Sequence, residues 1–379
     1  MFKLKQNNTT VRTELVAGIT TFMAMAYILM VNAGMFSTLG GDALGASYYN
    51  AVYIATALSA VFGTLLIGLL SNLPLAQASG MGLNAFFVYS VCIGMGFTYA
   101  NALVMVLVDG IVFLLLTVTG LRRLIFDAIP KAVKAAIAPG IGLFIAFLGL
   151  QNSGIVVNSD STLVDLHSFN IIFGHTTWAE IMPLLITIAA LIAIGAMSKK
   201  KIKGAVFWGI IGGAVLYYAL GLLTIDGFYA SNVQSKLSLN IIQPFRDFFN
   251  ISFGKVFTEG FNFSMVDMFD TLGTLYGACS AGNLLDKDGN VPNMNKAMLA
   301  DAAATCFGAV CGTSTVTTFV ESSAGIAEGG KTGLSSVFTA AMFFIAMFLA
   351  PVAQLIPTYA CAAALIYVGV LMMANVRSI

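Results

Sequence analysis

Six carboxylates interrupt the long apolar runs of this chain: Asp109, Asp267, Asp270, Asp301, Glu321 and, at the edge of its run, Glu328. A charged side chain at the centre of a bilayer costs at least about 2.5–3.5 kcal/mol on insertion scales. No Lys or Arg lies within the same runs to offset that cost. An acid removed from water and given no basic partner favours its protonated form. A group that releases and regains that proton as its surroundings change can couple proton flow to the passage of a solute.

The acids differ in context. In "VDMFDTLGTLYG", Asp267 and Asp270 are three apart, so a helix sets them on one face beside Thr271, Gly273 and Thr274. Small residues there let another backbone approach closely. Glu321 stands in "GTSTVTTFVESSAGIAEGGKTG", residues 312–333. Its glycines and hydroxyl residues make a poor lipid-facing helix, since freed backbone groups need partners in protein or water. A half-helix starting near Thr318, followed by Phe319, would present unpaired N–H groups able to bond a heterocycle or to hold Glu321 as an anion. Asp109 and Asp301 fit hydrogen bonding between neighbouring helices, and Glu328 fits a solvated position at a cytoplasmic end. Phe86 and Phe87 follow "GMGLNA". Either reads alone as an ordinary core or lipid-facing ring, and either could stack on a flat ligand.

The elements that must position these residues are transmembrane helices. Hydrophobic residues make up 58% of the 379 and charged residues 9%, with mean hydropathy +0.90, against roughly a quarter charged in a soluble domain. The chain is therefore an integral membrane protein. Successive apolar runs of about 18 residues predict an all-α polytopic bundle, whereas a barrel would alternate with period two. The run from Leu15 to about Met35 is too long for a signal-peptide core and reads as a retained first span. There is no nucleic-acid-binding patch and no cofactor or metal motif. All five cysteines fall in apolar segments as small core residues. His167 and His175 share one polar loop, which reads as surface.

Spans are expected near 15–36, 51–70, 83–96, 98–119, 135–150, 181–197, 204–224, 264–281, 297–311, 319–328, 333–350 and 355–375. The segments 83–96 and 319–328 are too short to cross about 30 Å of hydrocarbon. Lys3, Lys5 and Arg12 precede the first span, Arg122, Arg123, Lys131 and Lys134 follow the fourth, and Lys199, Lys200, Lys201 and Lys203 follow the sixth. Positive residues favour short cytoplasmic loops, so the N-terminus, 1–14, is expected inside. The loop 151–180 carries acids without Lys or Arg and is expected outside. Segment 225–263 is too long for a turn and is expected to be extracellular or interfacial. The polar, Gly- and Pro-punctuated "SNLPLAQASGMGLNAFF" (71–87) is matched in kind by the Glu321 stretch. Paired interrupted segments of this sort point to a transporter of inverted repeats with a site at the midplane.

"AGITTFMAMAYILMVN", "GMGLNAFF", "FDTLGTLYG" and "GTSTVTTFVESSAGIAEGGKTG" together resemble the AzgA-like purine permeases, a branch of the nucleobase cation symporters, over nearly the whole chain. The resemblance implies proton-coupled import of adenine, guanine or hypoxanthine across the cytoplasmic membrane, with H+ as the coupling ion. It implies fourteen spans in two inverted repeats of seven, divided into core and gate domains. The third and tenth spans would be half-helices, each after a short strand. On that plan 15–224 is the first repeat, with spans 1–7, and 264–379 an incomplete second, with spans 8–12, two short of the relatives. By motif the resemblance carries substrate binding to Asn84, Asp270 and Glu321, with Phe86, Thr271, Thr318 and Phe319 around them and Thr20, Thr21 and Tyr27 lining the cavity. Asp270, Glu321 or Asp267 would exchange the coupling proton. A homodimer follows by analogy. Relatives often carry Pro where Ser79 and Ala33 stand here.

Two other functions are weighed against this. A sulfate-permease-like anion transporter or channel of the same fold would want a positive or neutral site, which the acids oppose. An intramembrane hydrolase using Asp270 and Glu321 lacks any nucleophile motif or metal-ligand cluster.

Overall fold

The computed structural model describes residues 2–120, 130–168, 178–200, 202, 204–220, 263–264, 267–268, 270–279, 284–286, 291–353 and 355–373. The expected interfacial segment, apart from its last residue, and His175 lie outside these.

In chain order the helices and strands are α1 (Val11–Met25), α2 (Tyr27–Ser37), α3 (Gly41–Ser71), β1 (Gln77–Ser79) and α4 (Met81–Ala85), which runs on as a π-helix (Phe86–Gly94). Then come α5 (Tyr99–Val118), α6 (Lys131–Asn152), β2 (Val156–Ser159), β3 (Leu163–Leu166), α7 (Trp178–Lys199) and α8 (Ala205–Ala219). A helix, α9, includes the described residues 267–268 and 270–279. It is followed by α10 (Met294–Cys311), β4 (Val316–Thr318), α11 (Ser322–Ala327), α12 (Gly333–Met347), α13 (Ala350–Ala353) and α14 (Thr358–Met373). Among the described residues, Val11–Gly40, Ser47–Ser71, Tyr99–Val118 and Glu180–Lys199 are long and apolar enough to cross a membrane.

Local signals set the element ends. The Thr10 hydroxyl accepts from the Thr13 N–H to open α1, and Thr332 does the same for α12 through Leu334. Ala26 keeps helical dihedrals between α1 and α2, so the two act as one apolar stretch. Asn72 closes α3 and Gly312 closes α10, both left-handed, with φ 58° and 99°. The span expected at 51–70 begins earlier, at Gly41, because "GDALGASYYN" is polar enough to hide from a hydropathy window but not a poor helix former. The span expected at 135–150 likewise takes in Lys131 and Lys134.

The chain divides into two compact units, each drawing on both ends of the sequence: 1–137 with 234–350, and 138–233 with 351–379. In the first, small residues bring helix backbones together. A Cβ on Gly333 would lie 1.9 Å from the Gly68 carbonyl oxygen, so α12 and α3 touch through backbone. Gly18 of α1 meets Ser335 of α12, and Gly110 of α5 meets Cys306 of α10. In the second unit α14 packs on α7 and α8, and Gly142 of α6 faces Gly369 of α14 at a distance that no side chain would fit. The expected outer loop here carries a hairpin, β2 with β3, paired from Val156 opposite Leu166 to Ser159 opposite Leu163.

Candidate functional site at two strand–helix junctions

β1 and β4 form a two-stranded antiparallel sheet inside the first unit, with Gln77 opposite Thr318, Ala78 opposite Thr317 and Ser79 opposite Val316. The ladder continues through Gly80 N–H to Thr315 O and Phe319 N–H to Ala76 O, both 3.0 Å. Both strands are buried, so their outer edges need partners where water is absent. Threonines supply them in matching fashion. Thr64 of α3 accepts from Gln77 N–H and donates to Gln77 O, each at 3.0 Å. Thr305 of α10 accepts from Val316 N–H at 3.3 Å and donates to Val316 O at 3.0 Å.

Each strand leads into a short helix. The second, α11, begins at Ser322 and not near Thr318. This corrects the expected half-helix start: "VTT" is β-branched and pairs with β1, so helix formation waits until the ladder ends. Glu321 sits in the capping position of α11 without a side-chain capping bond. Its Oε1 instead accepts the Tyr27 hydroxyl at 2.6 Å, and the residue is part-buried. The Ser322 hydroxyl accepts from Ala76 N–H at 3.0 Å, tying α11 to the approach to β1.

Asp270 of α9 is buried. A Cβ on Gly80, the residue between β1 and α4, would lie 3.4 Å from its Oδ2. The carboxyl of Asp270 lies within electrostatic reach of those of Asp301 and Glu321. Thr271 donates to Asp301 Oδ2 at 2.8 Å and bonds the Thr317 hydroxyl at 3.0 Å. Asp301 Oδ1 and Thr318 Oγ1 each accept from Gln77 Nε2 at 3.3 Å. Asp301 thus ties α9, α10 and β1 together, the hydrogen-bonding part expected of it. Asp109 does likewise, accepting from Ser264 Oγ at 2.5 Å. Asp267 is fully buried on α9, and Glu328 is part-buried.

Asn84 on α4 is fully buried, its Oδ1 accepting from Ser79 Oγ at 2.8 Å. Phe86 is part-buried, edge-on to Phe263 at 4.9 Å. Phe87 is a core ring, fully buried against Phe36, Tyr99 and Phe263. Phe319 is buried and extends the strand ladder. Thr21 packs against α11, where a Cβ on Gly325 would fall 2.0 Å from its Oγ1. The junctions therefore bring together Asn84, Asp270, Thr271, Thr318, Phe319 and Glu321. Among the described residues no group of His, Cys, Asp and Glu could hold a metal ion.

Sequence reasoning missed Glu14. It is fully buried in the first turn of α1 and accepts from Lys331 N–H at 3.1 Å, Ser335 N–H at 3.2 Å and Ser335 Oγ at 2.5 Å. It also missed Thr64, Thr305 and Gln77, whose partners lie across the fold.

A profile of the Permease family matches residues 12–379. The guanine/hypoxanthine permease PbuO of Bacillus subtilis is 37% identical over 100% of this chain and 84% of its own length. The adenine permease AdeP of Escherichia coli is 36% identical over 100% of this chain and 81% of its own. The solved transmembrane domain of a cyanobacterial bicarbonate transporter, BicA, superposes with a TM-score of 0.69 at 17% identity, covering 96% of this chain and 89% of that one. That likeness is one of fold, a helical membrane transporter.

Proposed function

The chain belongs to the Permease family, the nucleobase-ascorbate transporters, and from that premise we propose that it takes up purine bases across the cell membrane together with protons. It is an integral membrane transporter and not an enzyme, as its relatives are permeases. The substrates follow from the named relatives, with guanine and hypoxanthine favoured and adenine next.

The observation that carries the reading is that Asp270 approaches Gly80, which follows β1, and that Glu321 follows β4, so each acid lies at a strand–helix junction of one two-stranded sheet. A purine presents ring and exocyclic N–H groups, which carboxyl oxygens accept in water-poor surroundings more strongly than in water. A protonated carboxyl in turn donates to a ring nitrogen. The same two groups can thus hold the base and exchange the proton, with Asp267 close by on α9. The matched service of Thr64 to β1 and Thr305 to β4 supports two inverted repeats whose short helices α4 and α11 meet at the membrane midplane. On this reading the first compact unit is the core, the second the gate, and the N-terminus is cytoplasmic.

Uptake of radiolabelled hypoxanthine, guanine and adenine into proteoliposomes tests the proposal. Uptake should follow an imposed proton gradient and collapse with an uncoupler. Indifference to the gradient would remove the coupling. An anion as substrate is disfavoured by the carboxyls themselves, which would repel it.

A further inference from the structure

We propose that the β2–β3 hairpin is a membrane-surface anchor, lying in the headgroup layer beside the start of α7 with the Val164 and Leu166 side chains turned to the acyl chains of a zwitterionic bilayer. The inference needs only the membrane-spanning fold and not the purine reading.

The hairpin is rooted within the depth of the bilayer. Its first bond, His167 N–H to Ile155 O at 2.9 Å, follows directly on Gly154, where a Cβ would lie 3.7 Å from Leu184 Cδ1 of α7. The part of α7 long and apolar enough to cross a membrane starts at the exposed Glu180. Leu184 is four residues further in, about 6 Å at 1.5 Å per residue. From Ile155 to Ser159 an upright strand climbs about 13 Å, so its end stands about 7 Å beyond the level of Glu180. The polar layer flanking the hydrocarbon is about 5–8 Å deep. From upright to flat, the strands therefore stay in that layer or at its inner border.

Burial and register set which way the hairpin faces. β2 is half-buried apart from Asn158, whereas β3 is exposed throughout, so β3 is the outer strand. Val156 stands opposite Leu166, and Val164 is two residues from Leu166, so the three share one face while Asp165 takes the other. Leu166 is 61% exposed. On α7 the exposed Trp178, Leu185 and Ile192 recur every seven residues as one stripe. Tryptophan at the end of such a stripe marks the border of lipid and water. The root of the hairpin, on Leu184, adjoins this stripe.

The free edge of β3 is prepared for surroundings poor in water. Bonded pairs alternate along an antiparallel ladder, and Ile155 with His167 is one of them. Val164 and Leu166 therefore turn their backbone groups outward, where no further strand pairs with them among the described residues. Val164 O accepts from Thr162 Oγ1 at 2.8 Å, and Leu166 N–H donates to Asp165 Oδ1 at 2.7 Å. An edge partly closed by its own side chains is a poor template for a strand of a second copy and a better neighbour for lipid. No Lys or Arg stands between Lys134 and Lys199, and Asp160 and Asp165 are exposed. Charge thus gives no attraction to anionic lipid, and a zwitterionic bilayer suffices.

The two tryptophans of the chain, Trp178 and Trp208, make the test direct. Changing both to Phe and adding Leu166→Trp leaves one fluorescent reporter on the apolar face of the hairpin, in the full chain reconstituted into phosphatidylcholine vesicles. Lipid brominated near the headgroup end of its chains should cut the emission at least twofold. Lipid brominated near the chain ends should cut it less, and aqueous iodide least. Should Leu166→Trp fail to reconstitute, Val164→Trp puts the reporter on the same face, with the same order expected. Stronger quenching by iodide than by either lipid overturns the inference, because the hairpin then stands in water. Strongest quenching by the deep bromines also overturns it, placing the strand edge in hydrocarbon. So does quenching by none of the three, which means that protein covers the face, either another part of this chain or a second copy.

Discussion

The Tyr27 hydroxyl donates to Glu321 Oε1 at 2.6 Å, joining residues 294 positions apart. Tyr27 is fully buried at the start of α2, just past the Ala26 link. It holds one carboxyl oxygen of Glu321 in place and leaves the other free of that bond.

Tyr27→Phe keeps the ring and removes the donor. A hydrogen bond to a charged group is worth about 1.5–3 kcal/mol net, so the KM for purine uptake should rise roughly tenfold or more, with the folded protein intact. Initial-rate uptake across a range of base concentrations checks this. A KM equal to wild type would show that the bond does not orient Glu321 for substrate.

Glu321→Gln and Asp270→Asn keep shape and remove the exchangeable carboxyl proton. Each should abolish accumulation driven by a proton gradient, and binding of labelled hypoxanthine should weaken at least tenfold in the Glu321 variant, whose carboxyl is held ready by Tyr27. Wild-type accumulation in both would place the site elsewhere.

Glu14→Ala strips acceptors from three donors near the start of α12, at Lys331 N–H, Ser335 N–H and Ser335 Oγ. Leaving buried donors unpaired costs about 1–3 kcal/mol, so the Tm in detergent should drop by several degrees, followed by intrinsic fluorescence. Glu14→Gln retains one acceptor oxygen and should lose less. Equal Tm values for all three proteins would mean that the cluster does not hold α1 to α12.

Gly333→Ala pushes a methyl carbon to 1.9 Å from the Gly68 carbonyl oxygen, backbone that cannot swing aside. No monodisperse protein should be recovered by size exclusion. Gly34→Ala in α2, with nothing within 4 Å of the added carbon, should be neutral or slightly stabilising, since Ala suits a helix better than Gly by about 0.5–1 kcal/mol.

The membrane class, the approximate spans and the two short segments were legible because hydropathy and Gly, Ser and Thr punctuation are local signals. Asp270 and Glu321 stood out for the same reason: an acid in an apolar run is conspicuous by itself. Glu14 was not, because it lies beside Arg12 in a polar leader and its partners follow more than 300 positions later. The strand at Val316–Thr318 was expected only through the family resemblance and not from its own residues, since a three-residue strand exists only through its partner at Gln77–Ser79. Phe86 and Phe87 are alike in sequence, and only packing makes Phe87 core.

Because, among the described residues, β1 and β4 are each other's only strand neighbour in their sheet, with each outer edge pinned by a threonine, neither approach segment can be displaced without dragging the other. On the proposed function, a base held beside them would ride a single handle built from distant stretches of the polypeptide, and a lesion in one strand should be felt as a misalignment of both.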